Sequence, residues 1–117
     1  MRLHPDDRKL FLFVRTELVF LARYFGLDLT QVKPMPRRHA ITRRGDCSAA
    51  GIIRITLREG GKRETVHSIA ETMAHELAHL RCWKHRDDWL GLYGSILLRM
   101  SARKTIDRLR AVCELEP

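Results

Sequence analysis

The string His75-Glu76-Leu77-Ala78-His79-Leu80-Arg81-Cys82-Trp83-Lys84-His85 decides how the rest of this 117-residue chain is read. Residues four apart on an α-helix lie one turn above another, so a helix here projects His75 and His79 as two imidazoles from one face. Leu77 sits roughly 200° around from His75 at about 100° per residue, so the apolar stripe Ile69, Met73, Leu77 and Leu80 occupies a different side. The helix is predicted to begin between Thr65 and Ser68, with Ser68 and Glu71 in capping-box register, and to run to about Cys82. Such a helix can be buried and still present ligands.

Two imidazoles on one helix face can clamp a metal ion, and a catalytic zinc site uses three protein ligands with the fourth position left to water. His85, six residues after His79 and just past the predicted helix end, is the expected third ligand. Glu76 follows the first histidine directly and is expected to point at the metal's water without ligating. There it can serve as general base and pass the proton to a leaving amine. Cys82, three residues past His79, could approach the metal, though buried packing is the plainer role for a thiol on a last helical turn. His67, two turns before His75, is a candidate transition-state donor or a solvent-facing residue. Trp83 and Trp89 bracket His85 and are expected to pack so as to orient it. His4 and His39 sit in polar loops and give no signal.

Outward from this segment, Pro5 to Phe25 carries Leu10, Val14, Leu18, Leu21 and Phe25 at helical spacing, with Pro5, Asp6 and Asp7 suited to a first turn and Gly26 to a left-handed stop. Thr30 to Ser48 reads as loops with a short strand near Gln31 to Met35. Ile52 to Leu57 alternates as a strand with one wet face, bounded by Gly51 and by Gly60 and Gly61. A third helix is expected to start near Asp87 or Asp88, either of which could cap it. It presents Trp89, Leu92, Tyr93, Ile96, Leu97 and Met100 on one face, with Gly91 and Gly94 allowing close helix contact. Ile106, Leu109 and Val112 then indicate that helical structure resumes or continues to about Cys113. The expected architecture is one α+β domain over residues 1–117. In it the first helix backs a small, mostly antiparallel sheet, the second carries the metal, a C-terminal helix closes the core, and the strand Ile52 to Leu57 forms the rim of the cleft.

Composition bounds the function. The chain holds 22 Lys and Arg against 14 Asp and Glu and is 44% hydrophobic, enough for one core and outside the range of disordered chains. No run is long and apolar enough for a membrane span or a signal-peptide core. Three widely spaced cysteines, Cys47, Cys82 and Cys113, make neither a disulfide framework nor a thiolate zinc site, so reduced thiols in the cytoplasm are expected. Residues 1–58 carry 12 basic and 5 acidic side chains, and most of the excess lies in Lys33, Arg37, Arg38, Arg43, Arg44, Arg54 and Arg58 against Asp46. This stretch, 33–58, could attract nucleic acid or another polyanion, or simply be solvated surface. No aromatic residue interleaves with it to stack on bases.

The pairing of Gly45-Asp46-Cys47-Ser48-Ala49-Ala50-Gly51-Ile52-Ile53-Arg54-Ile55 with His75-Glu76-Leu77-Ala78-His79-Leu80 and then His85 resembles the YgjP-like metallopeptidase family. Trp89 fills the place of an aromatic that the family has four residues after its third histidine. Related WLM domains, associated with proteolysis of DNA-crosslinked proteins, share the His79 to His85 spacing, and SprT-like proteins share the HExxH helix. The likeness covers about Arg43 to Trp89. It departs at Arg44 and Lys84, where an aromatic and an asparagine are common. Metzincins share the ligand spacing, but their glycine after the second histidine is Cys82 here and no Met-turn follows. The resemblance implies a minimal zincin-like fold, Zn2+ on His75, His79 and His85, and Glu76 as catalytic base of a hydrolase acting on a peptide or protein substrate. Two rivals stand beside it. One is a DNA-associated protein or DNA-protein-crosslink protease using the basic 33–58 segment; the other is a non-catalytic, zinc-stabilised binding domain.

Overall fold

The computed structural model describes residues 3–36, 39 and 43–115. Arg37 and Arg38 of the basic stretch lie outside the described residues. A 3-10 turn, Pro5–Asp7, leads into α1 (Arg8–Phe25), followed by β1 (Gln31–Pro34), β2 (Gly45–Cys47), β3 (Ile52–Ile55), the short strands β4 (Arg58–Glu59) and β5 (Lys62–Arg63), then α2 (Val66–His79), α3 (Asp87–Ala102) and α4 (Thr105–Leu115). The fold is α+β.

Helix α1 buries Leu10, Val14, Leu18 and Leu21 completely, as its periodicity requires, and stops at Gly26, whose φ of 65° is a left-handed conformation that favours glycine. Asp7 does more than favour a helix dipole. It is 1% exposed and accepts from Arg58 Nε at 2.8 Å and from Arg63 Nη2 at 2.8 Å, which pins the β4-β5 hairpin to the start of α1. Glu17 is a second buried anion. It accepts from Arg103 Nη2 and Thr105 Oγ1, each at 2.7 Å, and so ties α1 to the junction of α3 and α4.

Strand order in the three-stranded sheet is β1-β3-β2, with β1 parallel and β2 antiparallel to β3. The sheet is thus mixed rather than mostly antiparallel, and β3 is its central strand rather than the rim of a cleft. The antiparallel half follows from the tight connection at Ser48 to Gly51, where Ser48 N donates to Ile52 O at 2.9 Å. The parallel half depends on a long connection between β1 and β3 that leaves no local signature. Ile53 and Ile55 point into the core, while Ile52 and Arg54 alternate onto the outer face.

Helix α2 is the centre of the molecule, packed against β2, β3, α1, α3 and α4. Ile69, Met73 and Leu77 are buried as expected, joined by Ala70, Ala74 and Ala78, whose small size lets neighbouring elements approach. Its cap is Thr65, whose side chain accepts from Ser68 N at 3.1 Å, three residues earlier than the predicted Ser68. Arg86, without a side-chain bond, occupies the N-cap of α3, so Asp87 and Asp88 lie inside its first turn, where they face the positive end of the dipole. Gly91 and Gly94 mediate no close contact: a Cβ at either would meet nothing within 4 Å.

Candidate metal centre

Two elements of one short segment bring the predicted ligands together. His75 and His79 project from α2, and the turn that follows Leu80 swings His85 back over them. The Nε2 atoms lie 3.1 Å apart for His75 and His79, 3.3 Å for His75 and His85, and 2.9 Å for His79 and His85. A tetrahedral zinc at about 2.0–2.1 Å from each nitrogen would set them about 3.4 Å apart. The observed triangle is close to that figure.

The donor chemistry fits a cation as well as the distances do. His79 Nδ1 donates to the backbone carbonyl of Cys82 at 2.9 Å, which places its proton there and leaves the Nε2 lone pair for a metal. Each neutral imidazole has one N–H, and one N–H cannot serve two neighbours at once. Nitrogens gathered this way repel unless a positive charge sits among them. Burial, with the adjoining His79 and His85, holds the His75 imidazole below its ordinary value, favouring the neutral form that ligates.

Glu76 is 6% exposed, and its Oε2 lies 4.0 Å from His75 Nε2, beside the triangle rather than in it. Burial, and secondarily the charge of Asp46, pushes its carboxyl up to about 7; a cation among the imidazoles would draw it back down. Strand β2 forms the wall over it. A Cβ at Gly45 would come within 2.5 Å of Thr72 Cγ2 and 3.2 Å of Glu76 Cγ, so this backbone can lie against α2 only without a side chain. The sequence places Gly45 in a turn and gives no sign that it meets Glu76.

Trp89 is 8% exposed, with its ring edge-on to His75 at 5.0 Å and to His85 at 4.6 Å. It stacks on Tyr93 at 4.8 Å and 10°. It therefore packs against the imidazoles of His75 and His85. Trp83 stacks over His79 at 6.4 Å but is half exposed.

Cys82 is not part of the triangle. Its thiol is pushed up by burial and by Asp88, and its contribution is the carbonyl that orients His79. Cys47 is likewise pushed up, to about 11, by burial and by Glu76 and Asp46, which leaves it a poor nucleophile. His67 is exposed and stands outside the cluster. His4 instead caps the first turn, its Nδ1 accepting from Asp6 N at 3.1 Å.

No family model, no curated protein and no solved structure matches the chain.

Proposed function

We propose that the chain is a zinc-dependent metallopeptidase of zincin type, with His75, His79 and His85 holding the ion and Glu76 as general base. The observation that carries this reading is the convergence of three imidazole Nε2 atoms with a buried carboxylate beside them. The resemblance to YgjP-like metallopeptidases points the same way. Zinc held there supplies an acidified water at neutral pH and a Lewis acid for a carbonyl.

The chain's own residues supply the rest. Glu76, walled off by β2, takes a proton at Oε2 and returns it to the nitrogen of the departing amine. Strand β2 is an edge of the sheet next to α2, so an extended peptide can add to it as a further strand, with its carbonyls directed toward the imidazoles. Trp89 and the Cys82 carbonyl keep the imidazoles from rotating. The three free cysteines accord with a reducing compartment, and no helix among the described residues is long and apolar enough to cross a membrane.

A nucleic-acid role draws less support from the basic stretch once its partners are seen. Arg44 is bound to Glu64, Arg54 to Asp46 and Arg58 to Asp7, so much of the excess charge is spent internally.

Metal analysis and hydrolysis of a quenched fluorescent peptide mixture test the proposal together. One equivalent of zinc, lost in both His75→Ala and His85→Ala, and hydrolysis abolished by Glu76→Gln with zinc retained, are the expected results. Hydrolysis surviving Glu76→Gln at the wild-type rate would overturn Glu76 as the base, and zinc-loaded wild type that hydrolyses none of the peptides would overturn the enzyme reading and favour a binding domain.

A further inference from the structure

The flank of the imidazole cluster away from Glu76 carries a polar hydrogen that no bond among the described residues uses. Tyr93 of α3 stacks on Trp89, one turn earlier, with centroids 4.8 Å apart and rings 10° from parallel, and its ring is edge-on to His75 at 6.5 Å. The residue is half-buried. Its hydroxyl makes no hydrogen bond among the described residues and is not shut away from solvent, whereas the indole N–H of Trp89 is shut away without an acceptor. A helical side chain leans toward the N-terminus of its own helix. Because α3 begins at Asp87, two residues past His85, Tyr93 leans toward the imidazoles, as its stack on Trp89 records.

The two flanks of α2 hold different chemistry. Thr72 and Glu76 face β2, whose Gly45 lies against both. His75 faces α3 through Trp89 and Tyr93, and Glu71, one turn before His75, is the charge that, after burial, raises the Tyr93 phenol. A peptide seated between β2 and α3 therefore has a carboxylate on one side and a phenol on the other. When water adds to its carbonyl carbon, the water's proton passes to the base and the carbonyl electron pair moves onto oxygen. A carboxylate has no proton to offer that oxygen, and a phenol has one. His67, the donor candidate of the sequence, is exposed and about 12 Å away along the helix at about 1.5 Å per residue.

We infer that Tyr93 is a second catalytic residue, its hydroxyl donating a hydrogen bond to the substrate carbonyl oxygen as that oxygen gains negative charge. The inference rests on the peptidase reading. The phenol keeps its proton throughout: when the C–N bond breaks, the electron pair returns to the carbonyl and the amine takes the proton held by Glu76.

Tyr93→Phe tests this, because it removes the hydroxyl and keeps the ring that packs on Trp89. In full-length, zinc-loaded protein, hydrolysis of the best-cleaved peptide of the quenched mixture should show kcat lowered about 100-fold with KM within about threefold of wild type. Zinc content and thermal midpoint should match wild type. Calorimetry gives a readout that needs no turnover. A pool of phosphinic pseudopeptides presents a tetrahedral, charged group in place of the scissile bond, while matching mercaptoacyl peptides present a lone sulfur to the cation. The substitution should weaken the phosphinic pool about tenfold or more and leave the mercaptoacyl pool within about twofold.

An unchanged kcat, equal weakening of the two pools, loss of zinc together with activity, or no phosphinic binding by wild type would overturn the role of Tyr93. Its failure in a wild type that does hydrolyse peptides leaves Glu76 and the imidazoles in place. A wild type that hydrolyses none of the peptides, yet loses phosphinic binding selectively in Tyr93→Phe, would sink the peptidase reading and leave Tyr93 standing as a donor to a bound oxyanion.

Discussion

His79 donates its Nδ1 proton to the carbonyl of Cys82, three residues ahead of it, at 2.9 Å. One imidazole of the cluster is thereby oriented by the backbone of the turn that delivers the next, His85. The side chain of Cys82 takes no part in this bond. Cys82→Ala is accordingly expected to retain one equivalent of zinc, with affinity changed by no more than a few fold, as measured by competition with a chelating dye. Loss of the metal in this variant would show the thiol to be a ligand.

Glu76 and the three imidazoles have separable duties. Glu76→Gln is expected to leave zinc content and thermal midpoint close to wild type while lowering kcat by about 100-fold or more, the usual scale of general-base catalysis. Zinc analysis, a melting curve and steady-state hydrolysis on one preparation distinguish this from misfolding.

Gly45 owes its place to the absence of a Cβ. Gly45→Ala would set a methyl 2.5 Å from Thr72 Cγ2, forcing β2 off α2 at a cost of about 1–3 kcal/mol and opening the wall over Glu76. Thr72→Ser removes the offending methyl but keeps the hydroxyl that donates to Ser68 O at 2.8 Å. The double variant should recover most of the stability and activity that the single one loses, which a double-mutant cycle in urea measures directly.

The buried Glu17 links the middle of α1 to the junction of α3 and α4. Burial alone would raise its carboxyl, but hydrogen bonds from Arg103 and Thr105 and the charges of Arg103 and Arg108 outweigh it, so the net value lies below the usual 4.5. For an acid lowered on folding, the stabilisation is fully present above the unfolded value and is lost as pH falls from about 4.5 through the folded value. Glu17→Gln should flatten this acid limb of the stability curve. Glu17→Ala, which leaves Arg103 without its partner, should cost about 3 kcal/mol at neutral pH, toward the lower end for buried pairs because Arg103 is partly exposed. Urea unfolding between pH 3 and 7 reads both effects.

Chelation should lower the thermal midpoint reversibly. A site held at a hundredfold excess of zinc over its dissociation constant contributes about 2.7 kcal/mol, or about 10 °C for a chain of this size. Scanning fluorimetry with and without chelator, followed by zinc add-back, measures the shift; a midpoint indifferent to both would argue against a metal bound by the folded state.

The histidine cluster was legible because it is local: His75, His79 and His85 are fixed by helix periodicity and one turn, and the structure brings all three together. The helices α1, α2 and α3, the resumption of helix in α4, and the strands β1 and β3 were legible for the same reason, since their patterns are set within a few residues. What escaped depends on residues far apart in the chain. The parallel pairing of β1 with β3 and the central place of β3 have no local signature. Nor do the approach of Gly45 to Glu76 or the burial of Asp7 and Glu17, which read as an ordinary helix start and a polar interruption until their arginine partners 51 and 86 residues away are in view. The cap of α2 was missed by one step of the same pattern, because Thr65 and Ser68 are equally good capping residues and only the entry of the preceding hairpin decides between them.

Ten residues separate the first imidazole from the last, whereas the wall over Glu76 comes from a strand some thirty positions earlier. The three imidazoles are therefore brought together by local order in one short stretch, independently of how the sheet pairs. Closure over Glu76 depends instead on long-range packing of β2 on α2. On the proposed function, holding an ion and shielding the base are thus separable steps of folding.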